Sequence, residues 1–130
     1  MRYAVQFLLL FFCLTKSVFA IELLSVENLT ASPLNKQSIG ILRLLCMDQR
    51  KFVSFTGREA VTELIQLKEG KNSFSKCESD SLRILDEQQI SAAKLQKNSA
   101  SILRKFEVGG YQVLLITSRS GGGSLLQFHQ

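Results

Sequence analysis

Hydrophobic positions from about residue 38 onward fall in short runs separated by turn-forming residues. Ser38–Cys46, SIGILRLLC, is an apolar run of strand length that ends at Met47-Asp48-Gln49-Arg50. Lys51–Phe55, KFVSF, then alternates, with Phe52 and Ser54 on one face and Lys51, Val53 and Phe55 on the other. The two segments predict a β-hairpin over about 39–55 with a four-residue connection. Near the C-terminus, Tyr111–Thr117, YQVLLIT, is rich in β-branched and aromatic residues and apolar on both faces, which predicts a central strand. Gly109-Gly110 before it fits a two-glycine hairpin turn. Ser118–Gly123 reads as a flexible turn and Ser124–His129 as the returning strand, giving a second hairpin over about 111–129.

The stretches between the hairpins carry helical spacing. Thr56-Gly57-Arg58-Glu59 has the form of a capping box, in which the Thr hydroxyl and the Glu carboxylate satisfy first-turn N–H groups reciprocally. Ala60, Val61, Leu64, Ile65 and Lys68 follow at helical intervals, and Gly70 is a stop. The expected helix covers about 57–68, with a strand through Thr62–Leu67 as the competing reading. Leu82–Leu85 reads as a short strand. Asp86 can cap a second helix over about 87–97, built mainly of good helix formers. Ser99–Val108 either continues that helix or becomes a strand. The fold class this predicts is α+β: one small domain, an antiparallel sheet of two hairpins, and one or two helices.

The opening residues, MRYAVQFLLLFFCLTKSVFA, change the picture of where this domain works. Arg2 supplies a basic start, and Phe7–Leu14 is an uninterrupted apolar run of 8 residues. A membrane-spanning helix needs roughly 20 residues, whereas a secretory leader core needs about 7–15. Val18 and Ala20 precede the expected cut, which places residues 1–20 as a signal peptide and 21–130 as a single exported domain. The expected location is periplasmic in a bacterium and secreted otherwise. No later stretch is long and apolar enough for a span. Asn28-Leu29-Thr30 is a glycosylation sequon, relevant in a eukaryotic secretory pathway.

Export gives the cysteines a role. Cys46 and Cys77 remain after cleavage, and an even pair in an oxidising compartment is expected to close as a disulfide. They lack the Cys-x-x-Cys spacing of a redox site and the additional ligands of a metal site. Arg2 and Lys16 leave with the leader, so 14 basic residues face 11 acidic ones. The net charge of +3 is mild and dispersed, and it calls for no nucleic acid partner.

Candidate chemistry is sparse. The sole histidine, His129, is the penultimate residue, and no nucleophile or orienting acid accompanies it. The acidic pairs Asp86-Glu87 and Glu59/Glu63 fit helix capping better than acid–base work. The loop Ser118, Arg119, Ser120, Gly121, Gly122 and Gly123 could bring backbone N–H groups and a guanidinium to an anion. It lacks the Gly-Lys-Ser/Thr ending of a phosphate loop, and a hairpin connection accounts for it. No catalytic residues, metal ligands or cofactors are expected. The expected function is a small non-catalytic binding or accessory protein acting on a protein partner, with a subunit or assembly factor of a surface fibre or secretion apparatus as the alternative, and a small hydrolase behind both.

Overall fold

The apolar run after Gln37 forms β1 (Ser38–Met47), which reverses into β2 (Arg50–Gly57). The reversal is a two-residue turn, with Asp48 and Gln49 both at positive φ (52° and 60°), as a type I′ hairpin requires. Neither residue is glycine, so the conformation needs support. The segment 67–82 supplies it: Asp48 N–H donates to Asp80 O at 3.1 Å, Gln49 N–H to Ser79 O at 2.9 Å, and Gln49 O accepts from Cys77 N–H at 3.1 Å. The computed structural model describes residues 21–29, 36–58, 62–93, 96–118 and 122–128. The predicted leader, residues 1–20, lies outside the described residues.

Five further strands follow: β3 (Thr62–Gln66), β4 (Arg83–Ser91), β5 (Ser101–Val108), β6 (Tyr111–Ser118) and β7 (Gly123–Phe128). They form two antiparallel sheets, ordered β3-β2-β1-β4 and β5-β6-β7. The described part of the chain contains no helix, so the architecture is all-β and the α+β expectation is corrected. The chain divides into two units at Thr30/Ala31. In the first, residues 21–29 carry no regular secondary structure and are exposed; the second holds both sheets.

Both predicted helices give way to strand pairing. Within 57–68, Gly57 pairs with Gly40, and Thr62–Gln66 pairs with β2, placing Ile65 opposite Val53. Of the supposed capping box, Thr56 and Gly57 are the last residues of β2, with Thr56 opposite Ile41, while Glu59 lies with 60–61 outside the described residues. The competing strand reading over Thr62–Leu67 is the observed one. Within 87–97, Glu87–Ser91 lies along β1 with Arg43 opposite Glu87 and Ile90 buried opposite Gly40. Helix propensity differs among these residues by less than 1 kcal/mol each, so a long cross-strand register overrides it. Ser99–Val108, left open between helix and strand, becomes β5. Both predicted hairpins are present, as β1–β2 and β6–β7, and the Gly109-Gly110 turn has both glycines at positive φ (57° and 87°).

The sheets share one core. Leu42 and Leu44 of β1, Val53 and Phe55 of β2, Leu67 and Ile90 meet Val113, Leu115 and Leu125 from the second sheet. The ring of Phe55 is the main tie between them. A Cβ placed on Gly40 would stand 2.7 Å from it, and one placed on Gly123 would stand 2.8 Å from it. Phe55 therefore fills space that two glycines, one in each sheet, leave open. β1 is buried without a break from Gly40 to Cys46, which explains why its sequence reads as a continuous apolar run.

Candidate functional site

Cys46, at the end of β1, is bonded to Cys77 in the segment after β3, with their Cα atoms 6.1 Å apart. The bridge fastens the segment 67–82 to the β1–β2 turn, where Arg50 also stacks over the Phe74 ring at 4.3 Å. A disulfide of this kind belongs to an oxidising, extracellular-type environment.

The other sequence-marked positions do not converge on a chemical site. Asp86 and Glu87 are consecutive in a strand, so their side chains point to opposite faces. Glu87 is bound to Arg43, which is 4% exposed, at 2.9 Å, and Asp86 stands opposite Leu44. Glu63 lies in β3, not on a helix face with Glu59, which is outside the described residues. His129, Arg119, Ser120 and Gly121 also lie outside them. In the described part of the glycine loop, Ser118 N–H donates to Gly122 O at 3.0 Å and closes the turn, while Gly123 makes room for Phe55. Among the described residues no group of three or more His, Cys, Asp or Glu is placed to hold a metal ion. No helix among them is long and apolar enough to cross a membrane.

Among the described residues, two hollows flank the sandwich. One, between β4 and β5, has a volume of about 40 Å³ and is lined by Leu42, Leu44, Gln88, Phe106 and Val108. That is space for a water or two, well below the roughly 300 Å³ at which small-molecule sites begin. The second, about 320 Å³, is an open hollow in which two pairs of lining residues bond to each other. Tyr111 O–H donates to Glu69 Oε1 at 3.4 Å, and Gln127 bonds to the Lys68 backbone.

The surface that stands out is the outer face of the three-stranded sheet. On β5, β6 and β7 alternate residues face the core: Phe106 and Val108, Val113 and Leu115, and Leu125. The residues between them face outward, and many are also apolar. Leu103 is 63% exposed, Leu126 62%, Ile116 45% and Phe128 42%. The register makes them neighbours: Leu103 is opposite Ile116, and Leu114 lies between Lys105 and Leu126. The Lys105 ammonium reaches over the Phe128 ring at 5.0 Å. Single exposed apolar residues are common on a protein surface, but contiguous ones such as these are not.

Apolar residues on both faces of Tyr111–Thr117 predict a central strand, and β6 is central within its sheet. No local pattern marks Leu103, Ile116, Leu126 and Phe128 as one surface. The available signal was that apolar residues persist on both faces of β6 and β7, more than one core can absorb.

No family model, curated protein or solved structure matches the chain.

Proposed function

We propose that the chain is an exported, non-catalytic recognition protein that binds a protein partner through the outer face of β5, β6 and β7. The observation that carries this reading is the contiguous exposed cluster of Leu103, Ile116, Leu126 and Phe128. The disulfide and the N-terminal leader pattern support export. A flat apolar sheet face suits another protein surface, whereas a small ligand needs an enclosing cavity.

The test is capture from envelope or secreted extract with immobilised protein. The double variant Leu103→Glu/Leu126→Glu loses a partner that the unchanged protein retains. Leu64→Glu serves as the control, because Leu64 is 57% exposed but lies on the other sheet. Equal capture by the double variant, or no capture by the unchanged protein, overturns the proposal.

A second reading, a subunit of a surface fibre, draws on the unpaired edge of β5. It requires open-ended polymers of the purified protein in sedimentation, and a closed species of fixed size removes it.

A further inference from the structure

Strand edges are templates for pairing with another chain, and proteins normally protect them. Three of the four edges in this sandwich are protected. β3 and β7 lie on one seam, where the Gln127 side chain bonds both backbone groups of Lys68, just beyond β3. β4 carries a register shift between Leu44 and Leu45, opposite Asp86 and Ile84, so Leu85 is an inserted residue that breaks the regularity of its free edge. β5 differs in its backbone. Its Arg104 side chain reaches β4 at Ser91 O (3.1 Å), but the strand runs eight residues without bulge, proline or glycine, pairs on one side with β6, and has no strand partner on the other among the described residues.

The sequence of β5, SILRKFEV, then restricts what can pair there. Its outward residues are Leu103, Lys105 and Glu107. Lys105 reaches over the Phe128 ring, and neither it nor Glu107 has an ion-pair partner among the described residues. Two copies of β5 related by a two-fold axis pair antiparallel, with one residue opposite itself. Centring on Arg104 or Lys105 sets like charges face to face, which is unfavourable. Centring on Leu103 leaves Lys105 opposite a serine. Centring on Phe106 places Lys105 opposite Glu107 of the second copy, twice by symmetry, and sets the two Phe106 rings together on the core side.

We infer that β5 pairs with β5 of a second copy in the register centred on Phe106. The occupant of this edge is a second copy of the chain, selected by charge complementarity. The pairing is isologous and closes on itself, so it gives a dimer and not a fibre. It joins the two outer faces into one six-stranded surface and leaves them free, so it stands whether or not that face binds another protein.

The experiment is sedimentation of the disulfide-bonded protein together with charge-swapped variants. The unchanged protein is expected to dimerise. Lys105→Glu and Glu107→Lys each place like charges opposite one another and raise the dimer dissociation constant about tenfold or more. The double swap Lys105→Glu/Glu107→Lys restores the pairing to within about threefold of the original. Both residues are exposed, and circular dichroism of each variant checks that the sheets persist. As a second measurement, carbodiimide coupling in an equal mixture of isotopically light and heavy protein is expected to join Lys105 to Glu107 between chains. A monomeric unchanged protein overturns the inference. So does a dimer that both single swaps leave intact, or one that the double swap fails to restore.

Discussion

The side-chain amide of Gln127 makes both hydrogen bonds that a neighbouring strand would make to Lys68: its oxygen accepts from the Lys68 N–H at 2.9 Å, and its nitrogen donates to the Lys68 carbonyl at 2.8 Å. One side chain on β7 thereby fastens the seam between the two sheets. At the opposite seam Arg104 has the corresponding role, donating to Thr117 Oγ1 at 2.9 Å and to Ser91 O at 3.1 Å.

Replacing Gln127 by Glu keeps an acceptor for the Lys68 N–H but sets a carboxylate against the Lys68 carbonyl. A loss of about 1 kcal/mol is expected, the ordinary net worth of an exposed hydrogen bond. Urea unfolding measures the change, and hydrogen exchange at the Lys68 amide is expected to quicken. An unchanged midpoint and an unchanged exchange rate would show that the seam holds without the clamp.

Gly123→Ala tests the tie made by Phe55. The added methyl falls 2.8–2.9 Å from the ring, and Phe55 is 1% exposed with no free space to move into. Overpacking of this kind costs about 1–3 kcal/mol. Combining it with Phe55→Leu, which removes the crowded ring atoms, is expected to cost less than the sum of the two single changes. Additive losses would mean that the two residues do not share the space.

Reduction, or Cys46→Ser/Cys77→Ser, removes a bridge with a sequence separation of 31 residues. Chain entropy puts its contribution at about 3–4 kcal/mol. The loss is expected to extend to the Asp48-Gln49 turn, whose positive-φ conformation depends on hydrogen bonds from the bridged segment. Thermal unfolding with and without reductant gives the size of the effect, and exchange at the Asp48 and Gln49 amides locates it.

The hairpins were readable from the residues because their signals are local: alternation in KFVSF, a two-sided apolar strand in YQVLLIT, and the glycine pair between β5 and β6. The disulfide followed from the number of cysteines and the expected leader. The helices failed because TELIQ and EQQIS satisfy a helical period and a strand period equally well over so few residues. What decides them is the long-range register with β2 and β1, which no short window contains. The four-residue connection expected after β1 is two residues long, because the downstream segment stabilises Asp48 and Gln49 in a conformation that their own side chains do not favour. The apolar outer face was hidden for a related reason. Leu103, Ile116 and Leu126 look like core residues until the pairing of β5, β6 and β7 shows which side of the sheet they share.

Single charges on the outer face are expected to spare the fold. Leu126→Lys changes a residue that is 62% exposed, so its effect on unfolding should stay within about 0.5 kcal/mol. The equivalent change at Leu125, 6% exposed and in the shared core, should be severely destabilising. Denaturant titration of the two variants separates surface from core on adjacent residues. Similar losses at both positions would mean that the outer face is packed against something within the same molecule.

Hydrogen exchange on the complex with the captured partner tests the proposed recognition face most directly. Binding through this face predicts new protection on β6 and β7 and in the Leu103–Lys105 part of β5, with the turn at Asp48-Gln49 unchanged. Protection confined to the disulfide-bonded segment 67–82, with β6 and β7 exchanging as in the free protein, would contradict it.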